Sequence, residues 1–195
     1  MFRSSKLAAL LVAAAALALL AFPVMASATA TPDVQGNTLT VTSDAADQIV
    51  LSVVEVEGVR EIALNGVATG LAAGAAAEIV VNAGAEDDVV DASALAAADY
   101  GALTINGDAG LDLLTGGGNS DVINGGDDVD ELRGGDGNDT LVGGKGNELV
   151  VSGEAGDDTM IWNNGDGSDV NNGGLGIDTS ESNGVDNPED FTYEA

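Results

Sequence analysis

Eight acidic residues recur at a nearly constant interval in the C-terminal half of the chain: Asp112, Asp121, Asp130, Asp139, Glu148, Asp158, Asp169 and Asp178. Each is sixth in a nine-residue block, as in GGDGNDTLV (134–142) and GGKGNELVV (143–151). The blocks run from Gly107, with one extra residue, Ser152, before GEAGDDTMI and two more before NGDGSDVNN. Carboxylates are oxygen donors, and turns rich in glycine release backbone carbonyls as further oxygen donors. The chain has no histidine and no cysteine, so a soft metal has no ligands here. A set made only of oxygens suits a hard cation with six to eight ligands, Ca²⁺ more than Mg²⁺.

These acids need elements that bring them together. A period of nine is neither helical nor that of a plain strand. The eighth position carries Leu114, Ile123, Leu132, Leu141, Val150 and Met160, then changes to Asn171 and Ser180. The fourth is glycine except at Asn119 and Asp128, residue types that tolerate the left-handed backbone. The pattern predicts a fixed turn, a short strand with one inward aliphatic side chain, and then another turn. The apolar runs between the Asn-Gly steps at Asn106, Asn124, Asn164 and Asn172 are too short for hairpin arms. A parallel β-solenoid fits, with two blocks per coil and coils stacked about 4.8 Å apart. It would align Asp112, Asp130, Glu148 and Asp169 in one column and Asp121, Asp139, Asp158 and Asp178 in the other. Columns of like charge at that spacing require counterions.

The blocks resemble the RTX, or hemolysin-type calcium-binding, nonapeptide repeat, whose pattern is G-G-x-G-x-D-x-U-x with U aliphatic. GGDGNDTLV meets every specified position, and GGLGIDTSE departs only at the aliphatic one. The resemblance implies a parallel β-roll that holds several Ca²⁺ ions between stacked turns. It also implies that the sixth-position acids and the turn carbonyls are the ligands, and that calcium drives folding. Glu148 keeps the charge with one more methylene, which changes its reach.

Residues 29–82 read as a looser β-rich region that continues the solenoid, with short helices in the alanine-rich stretches 71–77 and 92–98 as the alternative. The β-roll is expected over 83–181, densest from 107. Asp88 is a weak further ligand candidate, and Asp47 a weaker one. Residues 182–195 read as a cap built on Phe191 and Tyr193 or as a frayed acidic tail. Trp162 reads as packing, against the alternative of a platform for a sugar ring.

Residues 1–28 read as a secretory signal peptide. Arg3 and Lys6 precede the apolar run Leu7–Phe22, and small residues place cleavage after Ala28 or Ala30. Loss of that segment leaves three basic residues against 33 acidic ones. So negative a surface excludes nucleic acid and anionic membrane as partners, and its self-repulsion calls for cations. The expectation is therefore a secreted, non-catalytic calcium-binding protein. An adhesin-like or carbohydrate-binding module, with a glycan or cell-surface partner, is the first alternative. A calcium-dependent polysaccharide lyase or epimerase is the second, and Arg133 and Lys145 are the only basic groups in the repeats that could serve it.

Overall fold

The computed structural model describes residues 30–146, 148–163, 170–183 and the pair 192–193. The described residues are all-β, with no helix. Two sheets face each other. One contains β1 (Thr31–Gln35), β2 (Thr38–Thr42), β6 (Ala76–Gly84), β8 (Tyr100–Ala109), β10 (Val122–Asp127), β12 (Thr140–Lys145), β14 (Thr159–Asn163) and β16 (Thr179–Asn183), in that spatial order. The other contains β5 (Val67–Ala72), β4 (Val59–Leu64), β3 (Gln48–Val56), β7 (Val89–Asp91), β9 (Leu113–Thr115), β11 (Glu131–Asp136), β13 (Val150–Ala155), β15 (Val170–Asn172) and β17 (Thr192–Tyr193). From β6 onward the chain alternates between the sheets, and every new strand pairs parallel with the previous strand of its own sheet, starting with β6 on β2 and β7 on β3. That is a parallel β-solenoid.

The sheet registers align the core in two files. Val41, Val81, Ile105, Ile123, Leu141, Met160 and Ser180 are successive partners on one side. Ile49, Val90, Leu114, Leu132, Val151, Asn171 and Tyr193 are successive partners on the other. The first coils are thicker, because Leu39, Leu51, Ile79 and Leu103 add a second fully buried layer. Further along, each strand contributes one inward residue. Hydrophobic burial, at about 25 cal/mol per Å², is therefore concentrated at the N-terminal end.

In the second file the inward residue is Val151, 2 % exposed, and not Val150. The Leu149 N–H still donates to the Asp130 carbonyl, as a seventh-position residue should. Glu131 nevertheless pairs with Val150. One additional residue thus sits directly after Glu148 as a bulge, and Leu149 is pushed outward. With aliphatic residues at both 150 and 151, periodicity could not distinguish the two registers.

The N-terminal end is closed by antiparallel strands. β1 reverses onto β2, and β4–β5 fold back onto β3. Asn65 and Gly66, at φ 49° and 77°, form the primed turn that an Asn-Gly step favours. Arg60 on β4 pairs with buried Asp99 at 2.7 Å, tying this hairpin to the loop before β8. The alanine-rich stretches form strand ends, turns and loop, not helices, because the first links β5 to β6, the second links β7 to β8, and the paired strands fix the ends of both. The signal segment 1–28, Asp169, Phe191 and the side chains of Trp162 and Tyr193 lie outside the described residues.

Candidate metal centre

The turns at the two edges of the solenoid bring the periodic acids into two ladders. On one edge the Asp88 N–H donates to Asp112 Oδ1 at 2.8 Å, and the Asp112 N–H donates to Asp130 Oδ1 at 2.9 Å. On the other, the N–H groups of Asp121, Asp139 and Asp158 donate to Oδ1 of Asp139, Asp158 and Asp178, at 2.8, 2.8 and 3.1 Å. Glu148 is 2 % exposed, and the register places it after Asp130. Asp178 is only half-buried. A second ladder runs outside the other-edge one with opposite polarity. Ser120, Asn138 and Asp157 accept from the next coil's Asn138, Asp157 and Ile177 N–H groups at 3.2, 3.0 and 2.8 Å.

The second carboxylate oxygens carry the electrostatics. Oδ2 of Asp112, Asp130, Asp139 and Asp158 is buried and has no hydrogen-bond partner. These aspartates are at most 3 % exposed. Burial, the largest cause, raises Asp130 and Asp139 from an ordinary 3.8 to about 7 and Asp112 to about 6. It raises Asp158 as well. The backbone N–H on each Oδ1 opposes that rise without cancelling it. An ionised carboxylate with an unpaired buried oxygen is costly.

Each such oxygen points into a space that glycine keeps open. A Cβ on Gly125 would come within 3 Å of Asp130 Oδ2 and of the Gly143 carbonyl oxygen in the next coil. Gly134 stands in the same relation to Asp139 Oδ2 and the Gly153 carbonyl. Carboxylate and carbonyl oxygens therefore converge between coils. Among the described residues no three acidic side chains meet at one point, because the acids come one per turn. A cation here would be held by a few carboxylate oxygens and completed by carbonyls. The donor set contains only oxygen, is partly charged and is buried, and this fits Ca²⁺.

Asp121 differs from the others. Both of its oxygens accept from the Tyr100 hydroxyl, at 3.0 and 3.1 Å, and Oδ2 also accepts from the Gly117 N–H at 2.7 Å. Burial raises Asp121 to about 6. Burial and then the neighbouring Asp121 charge push the Tyr100 hydroxyl up. Asn119 explains this local departure. Its N–H donates to the Tyr100 hydroxyl, and its side-chain amide donates to the carbonyls of Ala97 and Tyr100. Asn119 therefore does not adopt the left-handed backbone expected at the fourth position, whereas Asp128 does, at φ 80°. Asp108 and Glu154 are left-handed too, at φ 74° and 72°, in second positions whose acidic side chains gave no hint of it. A ladder of Asn82, Asn106 and Asn124 amides, at 2.9 and 2.8 Å, is a further feature that the nine-residue period does not predict. Its signal was asparagine just after the aliphatic position in successive coils.

The basic residues lie away from the two columns. Arg133 ion-pairs with Glu131 and Glu154, and Lys145 with Asp127 at 2.9 Å, all on the outer surface.

A parallel solenoid with a glycine turn and an inward carboxylate at each edge defines the β-roll class. Residues 104–132, 115–147 and 133–161 match the family of the RTX calcium-binding nonapeptide repeat (4 copies). The stretch 104–161 thus carries calcium-binding repeats, and Ca²⁺ is the ion they indicate. Comparison with curated proteins and with solved structures found no match.

Proposed function

We propose that this is an exported, non-catalytic protein whose β-roll completes its folding when Ca²⁺ enters the two carboxylate columns. One observation carries the reading: Asp112, Asp130, Asp139 and Asp158 are buried in successive coils, each with an oxygen that no protein donor satisfies. The three basic residues among the described residues cannot neutralise them, since Arg60, Arg133 and Lys145 are each ion-paired elsewhere. Asp112, Asp130, Asp139 and Asp158 are the leading ligands, with Glu148 beside them in the first column. Asp121, Asp169 and Asp178 complete the proposed set, Asp121 weakened by its bond to Tyr100. Because the ligands converge only in the folded chain, the free energy of ion binding becomes free energy of folding. Extracellular modules commonly work at affinities of about 10⁻⁴–10⁻³ M, so the chain would order where calcium is plentiful, outside the cell.

The absence of a catalytic role is inferred from the available groups. Arg133 and Lys145 sit in exposed ion pairs, and carboxylates that hold calcium are not free to move protons. Export is inferred from the composition of residues 1–28. It is tested by sequencing the N-terminus of protein recovered from the medium, which should start at Thr29 or Thr31. Calcium-coupled folding is tested by circular dichroism and thermal melting with calcium and with EGTA. An identical β signal and melting temperature in both would refute it.

A further inference from the structure

We propose that the turn 83–88, which precedes the residues matched by the repeat family, is an additional calcium site that shares the Asp112 turn. The inference rests on the calcium reading above. Only one glycine, Gly84, marks this turn in the sequence, yet its contacts are those of a repeat. The Asp88 N–H donates to Asp112 Oδ1 at 2.8 Å, and Asp88 Oδ1 accepts from the Asp47 N–H at 2.6 Å. Asp88 Oδ2 is buried and has no partner, in a residue 1 % exposed. Gly84 has φ 118°, close to Gly126 at 126° and Gly135 at 109°. The Glu86 carbonyl faces Gly110 in the next coil, as the Asn119 carbonyl faces Gly137. Outside, Asp87 Oδ1 accepts from the Leu111 N–H at 2.9 Å, repeating the outer ladder of the other edge. Carboxylate, carbonyl and backbone path are all in place.

In each column the first carboxylate with an unsatisfied oxygen follows one that a protein hydroxyl serves. One coil earlier, Asp47 Oδ2 accepts from the Ser43 hydroxyl at 2.6 Å, so that carboxylate is satisfied without a metal. On the opposite edge the Tyr100 hydroxyl serves Asp121 and weakens it as a ligand. Asp88 has no such hydroxyl. Its turn departs from the repeats at Ala83, which is fully buried and occupies the place of the opening glycine. In the repeats a Cβ at that place comes within 3 Å of the sixth-position carboxylate. The Ala83 methyl therefore narrows the cradle, and this site should be the weaker one.

Calorimetric titration of the full chain with CaCl₂ tests the assignment, using Asp88→Asn, Ala83→Gly and, as a reference, Asp139→Asn. Circular dichroism at saturating calcium shows which variants are folded. Asp88→Asn should bind one ion fewer than the wild type. Ala83→Gly should keep the wild-type stoichiometry and tighten the weakest site several-fold. If Asp139→Asn loses an ion while Asp88→Asn keeps the full number, the assignment is wrong and the calcium reading survives. Unchanged affinity in Ala83→Gly would overturn it as well, whatever the folding of the asparagine variant. No calcium uptake by the wild type would overturn both.

Discussion

Replacing Asp139 with asparagine should change stability in opposite directions with and without calcium. Asp139 is 1 % exposed, its Oδ1 accepts from the Asp121 N–H, and its Oδ2 has no partner. Burial raises its carboxyl from 3.8 to about 7. At about 1.4 kcal/mol per pH unit, ionising it in the metal-free fold at pH 8 costs roughly 4 kcal/mol relative to the unfolded chain. Asparagine keeps the bond to Asp121 and removes the charge, so in EGTA the variant should gain up to that amount. In calcium the same change removes a ligand. A site held at a hundred times its dissociation constant contributes about 2.7 kcal/mol, and the variant should lose stability on that scale. The assay is urea unfolding at pH 8, followed by far-UV circular dichroism in EGTA and in saturating CaCl₂. Where the metal-free wild type shows no transition, the gain appears as recovered β signal. Loss of stability in both conditions would refute the account, since the residue would then act through packing alone. A gain in both would refute its role as a ligand.

Four further outcomes follow from the same geometry. In EGTA the β signal should rise as pH falls from 8 to 5. Asp130, Asp139 and Asp112 have folded values of about 7, 7 and 6 against an ordinary 3.8, so the folded state binds more protons across that window and stability is lost as pH rises through it. Calcium affinity, measured by titration, should fall over the same interval as protons compete for the oxygens. Tyr100→Phe leaves Asp121 without its phenol donor and should cost about 1–3 kcal/mol, read as a lowered urea midpoint in EGTA and in calcium alike; an unchanged midpoint would mean the bond contributes nothing. Leu141→Ala, at a fully buried place in a single-file core, should cost about 2–5 kcal/mol, whereas Val122→Ala, on an exposed face, should leave the midpoint nearly unmoved.

The carboxylate columns were legible because one acid per nine residues is a periodic signal, and stacking parallel coils converts periodicity directly into alignment. The aliphatic files were legible for the same reason, up to the point where three apolar residues, Leu149, Val150 and Val151, follow Glu148. There the chain inserts a residue, and 150 and 151 are equally apolar. Contacts between residues far apart without periodicity stayed hidden. Tyr100 reaches Asp121 across 21 residues and Arg60 reaches Asp99 across 39. Nothing local in either segment announces its partner. At Asn119 the conformational tolerance of the residue type is real, but hydrogen bonding to the preceding loop determines its backbone. Asn65-Gly66, by contrast, is a legible hairpin signal between two apolar runs, outside the nine-residue period.

The antiparallel strands at the N-terminal end give the solenoid a direction. A stack of identical coils resembles a short filament, able to add a layer at either face. Here β1 and the β4–β5 hairpin turn one face into a terminus that offers no parallel template for a further coil. A further coil can stack in parallel only at the opposite end, away from the coils with the thickest apolar core. Such a polymer is seeded and one-ended. Every later coil has its parallel template on its N-terminal side.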